Sequence, residues 1–288
     1  MMNSYITKIS NFYRLAKPGI IRGNAITLVA GYIFASRGIF SFAIMLWLVL
    51  GSSMIIGSSC VINNIFDSSI DGKMERTKMR EMVNKIISIR SAWIYAVVLL
   101  LIGGVLLLYF TNFYTFLLGI AAWALYAFVY TYSKRKTPYS TLIGTVPGAI
   151  PPLAGYVAAR NVFDASGLIL FLILVCWQMP HFLAIALRRI DEYRSAKIPV
   201  LPIAKGIERT VLESRIFLVL FGLFCIVLGL QTNLGFWYLI SVSGIFLYWL
   251  VIGFGDSKIK QWPKKLFFSS LVTLLLFDIV ISIWRAPL

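Results

Sequence analysis

Residues 41–80 read SFAIMLWLVLGSSMIIGSSCVINNIFDSSIDGKMERTKMR. The part up to Asn63 is an apolar run of the length that an α-helix needs to cross the hydrocarbon core of a bilayer. A segment dense in acidic and basic residues follows it without a break. This stretch predicts a membrane-spanning helix that ends at a strongly charged surface.

The composition of the whole chain agrees with a membrane protein. Of the 288 residues, 59% are hydrophobic and 13% are charged, with a mean hydropathy of +0.85. A soluble domain of ordinary composition carries about 25% charged residues, so the composition argues against a water-soluble globule. The formal net charge of +16 first suggests a nucleic-acid partner, but too little polar surface remains for one. We expect a single membrane-embedded domain over residues 1–288.

Apolar runs predict an all-α, polytopic protein with nine transmembrane helices. Their approximate bounds are 19–37, 41–63, 92–110, 113–133, 139–158, 165–186, 213–231, 233–253 and 266–284. With the N-terminus in the cytoplasm, 24 of the 27 Lys and Arg residues fall on the inner side, and the outer side keeps Arg37, Arg160 and Arg285. The positive-inside rule therefore predicts a multi-pass protein of the cell inner membrane whose long loops face the cytoplasm.

Acidic residues cluster beside the ends of the predicted helices. Eight of the 11 lie in or next to the two long connections, 64–91 and 187–212. In the first connection, four oxygen-bearing side chains recur at every fourth position and would share one helical face: Asn63, Asp67, Asp71 and Glu75. Such ligands suit Mg²⁺ together with a substrate phosphate. A solvated helix end, whose acids pair with nearby bases, is the alternative explanation.

Four motifs in order resemble the UbiA superfamily of intramembrane prenyltransferases, and within it the branch that prenylates haem. They are Lys17-Pro18-Gly19-Ile20-Ile21, Asn63-Asn64-x-x-Asp67-x-x-x-Asp71-x-Lys73-Met74-Glu75-Arg76-Thr77, Trp177-Gln178-Met179-Pro180-His181 and Ile198-Pro199-Val200-Leu201-Pro202. The resemblance covers most of the chain and is weakest after about residue 212. It implies a UbiA-type helical bundle with Mg²⁺ as cofactor.

The resemblance also implies an activity and its substrates. The farnesyl group of farnesyl diphosphate would be transferred to a vinyl group of protohaem IX, with addition of water, giving haem O and diphosphate. Haem would be a substrate rather than a cofactor. A haem A synthase or a terminal oxidase would be a candidate assembly partner, and membrane lipid would surround the protein.

The same resemblance assigns roles to particular residues. The catalytic group comprises Asp67, Asp71, Tyr130 and Lys134, and the metal ligands comprise Asn63, Asp67, Asp71 and Glu192. Diphosphate would be bound by bases on three connections: Lys73, Arg76, Lys78, Arg80, Lys134, Arg135, Arg188 and Arg189. Haem would be bound by Trp177 and His181.

Several of these assignments have open alternatives. The superfamily's second Asp-x-x-x-Asp motif is replaced here by Asp191-Glu192, which leaves a second Mg²⁺ in doubt. The acids of that loop could instead pair with its own arginines, and Lys134 could be a positive-inside anchor. His181, the only histidine, is a candidate haem-iron ligand or a hydrogen-bonded core residue. The glycine- and proline-rich stretch 144–155 could shape the acceptor pocket or pack against other helices.

Asp278 lies inside the last apolar run and matches no motif. An ionisable residue there is a functional candidate by default, although a neutral carboxyl or a hydrogen bond to a neighbouring helix is the favoured interpretation. Two other functions also remain open for the chain: prenylation of an aromatic quinone precursor, and small-molecule transport. A transporter would place its ionisable residues near the membrane midplane, whereas nearly all of them lie at one face here.

Overall fold

The computed structural model describes residues 2–36 and 38–284, so Arg37 and Arg285 of the predicted outer side lie outside it. The described residues form helices joined by connections, and they contain no β-strand. Its helices are α1 (Met2–Leu15), α2 (Pro18–Ala35), α3 (Phe42–Asp71), α4 (Ile89–Phe110), α5 (Phe113–Ser133), α6 (Ser140–Arg160), α7 (Ala165–Arg188), α8 (Ile190–Ser195), α9 (Leu201–Ala204), α10 (Ile207–Gln231), α11 (Phe236–Gly253) and α12 (Trp262–Ile283).

Within the described residues, eight helices are long and apolar enough to cross a membrane, namely α3, α4, α5, α6, α7, α10, α11 and α12. This confirms the predicted all-α, polytopic class, and the predicted number of nine is approximate. The remaining predicted span, 19–37, corresponds to α2. This helix has 18 residues, carries Arg22 and Asn24 near its start, and packs against α6, α12 and α3.

One end of the bundle, which we call the charged face, carries the connections 72–88, 134–139, 189–206 and 254–261. Ser195 in the third of these segments donates a hydrogen bond to the carbonyl of Lys73 in the first. Arg215 of α10 donates to the carbonyls of Gly253 and Gly255 where the fourth segment begins. The charged face therefore brings together both acid-containing connections, although four long helices separate them in sequence.

Helix α3 continues two turns beyond its predicted end at residue 63 and ends at Asp71, before Gly72. Three polar residues of these turns, Asn64, Asp67 and Asp71, are buried, and partners from other elements contact them. Asn64, for example, donates to the carbonyl of Leu15 at the end of α1 and accepts from Arg80. The expectation that Glu75 shares this helical face is wrong, because the helix has already ended. Its side chain is 77% exposed and pairs with Lys78.

Helices α2 and α6 approach each other through glycines. A Cβ atom on Gly31 would lie 2.2 Å from the carbonyl oxygen of Pro152, and one on Gly155 would lie 2.1 Å from that of Leu28. Small residues allow helix backbones to meet this closely in membranes. Although α6 contains three prolines, it remains one continuous helix and forms one wall of the cavity described below.

Candidate active site

A cavity of about 720 Å³ extends from the charged face into the bundle, with walls from α2, α3, α5, α6, α7 and α12. Along α3 it reaches from Ser52 to Asp71. At a rise of 1.5 Å per residue, this distance is about 28 Å along the helix axis. One end is lined by acids and bases, and the rest is largely apolar and aromatic. The shape suits a long apolar molecule with a charged head.

The acidic ladder forms one wall at the charged end. Asn63, Asp67 and Asp71 all line the cavity, and each is at most 2% exposed. The amide of Asn63 donates to Asp67 Oδ2 over 3.0 Å and to Thr131 over 2.9 Å. Asp67 Oδ2 also accepts from Lys134 over 2.9 Å, and Asp71 Oδ2 accepts from Arg80 over 2.5 Å. Burial without these cations would strongly disfavour both carboxylates.

Each carboxylate keeps one oxygen without a hydrogen bond. Oδ1 of Asp67 and Oδ1 of Asp71 are buried and unpartnered, although Arg135 lies 3.7 Å from the former. Buried acceptors of this kind are rare in folded proteins. Carboxylate and amide oxygens are the hard ligands that Mg²⁺ uses, often through one or two carboxylates and substrate phosphate. The residues therefore fit a Mg²⁺ ion, while the described residues contain no cluster of three His, Cys, Asp or Glu side chains.

Basic side chains surround the ladder. Besides Lys134 and Arg80, the cavity is lined by Arg76 and by Lys17, whose ammonium group lies 2.5 Å from Asn63 Oδ1. Burial lowers the pKa of Lys17 to about 8. Burial also disfavours the charge on Lys134, but the neighbouring Tyr130 and Asp67 outweigh this effect and raise its pKa. Four cationic side chains therefore line one end of the cavity, where together they could bind an anionic group.

Six of the predicted site residues do not line the cavity. Lys73 is exposed, Lys78 pairs with Glu75, and Arg135 donates to the carbonyl of Phe66. Arg188 lies over the ring of Phe267, 5.0 Å from its centroid. Arg189 and Glu192 form an ion pair of 2.6 Å with each other.

The environment of Glu192 bears on its predicted metal role. Its Oε1 is paired with Arg189, while its Oε2 is buried without a hydrogen bond. The adjacent Tyr193 lines the cavity, whereas Glu192 itself does not. The structure therefore places this loop at the rim, and the metal role of Glu192 stays a prediction.

Tyrosines mark the boundary between the charged and apolar parts. A π-helical segment, Leu125–Tyr130, interrupts the regular winding of α5. It brings Tyr126 and Tyr130 into a stacked pair with ring centroids 5.3 Å apart, and both rings line the cavity. Single π-helical turns occur often at functional sites. The predicted pair of Tyr130 and Lys134 is thus brought together with Asp67.

His181 lies in the apolar part, between the rings of Trp177 and Phe267 at centroid distances of 4.8 and 4.9 Å. Its Nδ1 is 2.8 Å from the hydroxyl of Ser270, and that hydroxyl donates to the carbonyl of Phe267. Since a hydroxyl has one proton, Nδ1 must be the donor to Ser270. The lone pair of the neutral ring is then on Nε2, and His181 lines the cavity.

The cavity-lining residues without a role predicted from sequence include Lys17, Tyr126, Gln178 and Asp278. Lys17 and Gln178 lie within two of the motifs that resemble the family, and this location is the sequence signal that could identify them. The sequence signal of Asp278 is an ionisable side chain within an apolar run. Its side chain is buried, and its Oδ2 has no hydrogen-bond partner, so the expected hydrogen bond to a neighbouring helix is not formed through this atom.

The helical bundle and this cavity together define a multi-pass membrane protein whose buried cluster of acids and bases opens into an apolar chamber, the part of the cavity around His181. The profile of the UbiA prenyltransferase family matches residues 24–272. The chain belongs to the UbiA prenyltransferase family, and it is therefore an enzyme of the prenyltransferase type.

Individual relatives and solved structures agree with this family. The chain is 37% identical over 276 residues to a protoheme IX farnesyltransferase of Protochlamydia amoebophila, covering 95% of this chain and 98% of the relative. A protein of the same name from Acinetobacter baylyi is 38% identical over 283 residues, covering 95% of each chain.

The fold is similar to that of a digeranylgeranylglyceryl phosphate synthase, with a TM-score of 0.81, 20% identity and coverage of 96% and 98%. It is also similar to a UbiA homologue from Archaeoglobus fulgidus bound to GPP and Mg²⁺, with a TM-score of 0.69, 16% identity and coverage of 94% and 99%.

Proposed function

We propose that this prenyltransferase moves the farnesyl group of farnesyl diphosphate to a vinyl group of protohaem IX, with water addition, to give haem O and diphosphate. The relatives named protoheme IX farnesyltransferase, which match nearly the full chain, support the substrates. The observation that carries the proposal is that one cavity joins the acid–base end around Asp67 to an apolar chamber containing His181.

At the charged end, the free Oδ1 atoms of Asp67 and Asp71, assisted by Asn63, would hold Mg²⁺. A UbiA homologue with prenyl diphosphate and Mg²⁺ bound supports this choice of metal. When bound, the ion supplies positive charge that neutralises the leaving diphosphate. Lys17, Arg76, Arg80 and Lys134 would bind the phosphate oxygens, and fixed cations of this kind stabilise charge that develops in the transition state.

The apolar chamber has a different task. Cleavage of the bond between farnesyl C1 and the diphosphate oxygen leaves an allylic cation, which the apolar and aromatic walls shield from water. The stacked rings of Tyr126 and Tyr130 also line the cavity, where they would face the first carbons of the farnesyl group. Aromatic faces stabilise nearby positive charge. The vinyl carbon of haem then attacks C1, and water captures the resulting cation beside the porphyrin.

His181 is the residue we propose to bind the haem iron, through Nε2. Its hydrogen bond to Ser270 fixes the tautomer that leaves Nε2 free, which is how outer partners usually orient metal-binding histidines. His181→Ala should therefore shift the Soret band of haem bound to the purified protein. Cys176→Ser, on the same helix but away from the cavity, should not. An unshifted band in His181→Ala would remove the ligation.

We further propose that the charged face is cytoplasmic, in the cell inner membrane, since nearly all lysines and arginines lie there. Farnesyl diphosphate would then enter from the cytoplasm. A haem A synthase or a terminal oxidase is the proposed assembly partner, because each would receive the product.

Mass analysis of extracted haems tests the function. The gene is expressed in a host that lacks its own haem O synthesis, in parallel with the Asp71→Ala variant at equal protein abundance. Haem O is expected with the natural chain and not with the variant. Intact membrane protein without haem O, together with a prenylated quinone precursor, would contradict the proposal in favour of the quinone-type activity.

A further inference from the structure

The proposed reaction ends with a water molecule adding to a cation, and this step needs a group that accepts a proton. Among the described residues that line the cavity, three carry a carboxyl group: Asp67, Asp71 and Asp278. The first two are paired with Lys134 and Arg80 at the charged end. His181 Nδ1 is engaged with Ser270, and its Nε2 is the proposed iron ligand. Of these three carboxyl groups, Asp278 is therefore the one that has no other role in the proposed mechanism.

Asp278 lies on the apolar part of the cavity wall. On α12, Leu271, Leu274, Leu275 and Asp278 all line the cavity, as the helical repeat allows. Ser270, which contacts both His181 and Trp177, lies eight residues earlier on this helix. Eight residues correspond to about 12 Å along the axis, so Asp278 lies in the apolar chamber, farther from the charged face than Ser270.

The carboxyl group of Asp278 is buried and has one oxygen without a hydrogen bond. Asp278 is 6% exposed, its Oδ2 accepts no hydrogen bond, and it forms no ion pair within the described part of the chain. A buried acid with an oxygen that accepts no hydrogen bond is costly and requires an explanation. In the free protein, an ionised Asp278 would have no ion-pair partner among the described residues. The carbocation that forms beside haem during the reaction supplies a positive charge that stabilises the ionised carboxylate.

We propose that Asp278 is the general base that activates the water in this reaction; the proposal rests on the proposed function. Diphosphate leaves with the electron pair of the C1–O bond, and the vinyl π electrons form the new carbon–carbon bond. Water then donates an electron pair to the cationic carbon next to the porphyrin. One O–H bond breaks, its electrons stay on oxygen as the hydroxyl group forms, and its proton moves to the Asp278 carboxylate.

Removal of the base changes the product. Asp278→Asn keeps nearly the same shape but cannot accept the proton, so the cation should instead lose a proton from a neighbouring carbon. The product is then an alkene lighter than haem O by one water. General bases contribute about 100-fold or more, and we expect the ratio of haem O to this alkene to fall by about 100-fold.

The assay uses the full-length protein in membranes with haem and farnesyl diphosphate, and both products are measured by mass. Thr273→Val is the matched control, because Thr273 is a buried, unpartnered polar residue of the same helix that does not line the cavity. It should keep the natural product ratio. If Asp278→Asn does not accumulate, Asp278→Ser, with a smaller neutral side chain, replaces it.

The outcomes separate the two proposals. An unchanged product ratio in Asp278→Asn overturns the assignment, and so does loss of both products from a folded variant, since the carboxyl group would then act before the carbon–carbon bond forms. Absence of any farnesylated haem from the natural chain would instead contradict the proposed function.

Discussion

Asp67 and Asp71 each have one carboxylate oxygen paired with a basic side chain and one oxygen without a hydrogen bond. If the latter oxygens hold the cation that neutralises diphosphate, Asp67→Ala or Asp71→Ala should lower turnover by about 1,000-fold. The protein should still insert, because the helix itself is apolar. Product formation in membranes, normalised to protein abundance, is the measurement.

Glu75 provides the control for this experiment. It continues the same spacing in sequence but lies beyond the end of α3, exposed and paired with Lys78. Glu75→Ala should retain nearly full activity. Full activity in Asp67→Ala, or equal losses in all three variants, would contradict the assignment of the ladder.

Lys17 gives a pH-dependent prediction. Because burial lowers its pKa to about 8, the ammonium group is charged below this pH and loses its charge above it. The kcat/KM for farnesyl diphosphate should therefore decline as the pH rises through about 8, since this parameter reports the free enzyme. In Lys17→Arg, where the cation persists, the decline should disappear. The same decline in both proteins would show that another group is responsible.

Some residues of the site could be predicted from sequence, and others could not. Spacing along one helix is a local property, so Asn63, Asp67 and Asp71 were correctly grouped at positions i, i+4 and i+8. The approach of Lys17 to Asn63 is not local, since 46 residues separate them. Likewise, Lys78 pairs with Glu75 instead of lining the cavity. The charge of a lysine alone does not indicate whether its side chain lines the cavity or forms an ion pair at the surface.

At the scale of helices, the contact between α2 and α6 should tolerate no added atoms. A Cβ on Gly155 would lie 2.1 Å from the carbonyl oxygen of Leu28, and both backbones would have to move. Gly155→Ala should destabilise the detergent-solubilised protein by about 1–3 kcal/mol, the usual range for overpacking. A thermal unfolding assay measures this effect.

Gly244 is the matched control, because it lies within α11 and a Cβ there would meet no heavy atom within 4 Å. Gly244→Ala should leave stability unchanged or raise it slightly, since alanine favours helix more than glycine does. Equal destabilisation by both substitutions would contradict the close packing of α2 on α6.

The existence of the helices could be predicted, because an apolar run long enough to cross a membrane has few alternatives to a helix. The residues at which the helices end could not be predicted in this way. The apolar run that predicts α3 stops near Asn63, but tertiary partners such as Leu15 and Thr131 satisfy its polar turns and extend it to Asp71. Conversely, α2 corresponds to the predicted span 19–37 but carries Arg22 and Asn24 near its start, and its buried residues lie in its second half. Hydropathy describes contact with lipid, whereas the polar turns of α3 are satisfied by contacts within the protein.

At the scale of the whole molecule, the proposed orientation makes a prediction about chemical labelling. The three natural cysteines are buried, so introduced cysteines can be read separately. Val162→Cys, on the connection between α6 and α7 opposite the charged face, should react with a membrane-impermeant thiol reagent in intact spheroplasts. Glu75→Cys should react only after lysis. The reverse pattern would contradict the cytoplasmic placement of the charged face.

The central claim is that one cavity brings farnesyl diphosphate to haem. The most direct test offers the purified protein farnesyl diphosphate, Mg²⁺ and two acceptors together, haem and an aromatic quinone precursor, and measures both prenylated products and released diphosphate. We expect haem O and diphosphate in equal amounts, loss of both on chelation and recovery with Mg²⁺. Prenylation of the quinone precursor with haem left unchanged would contradict the account.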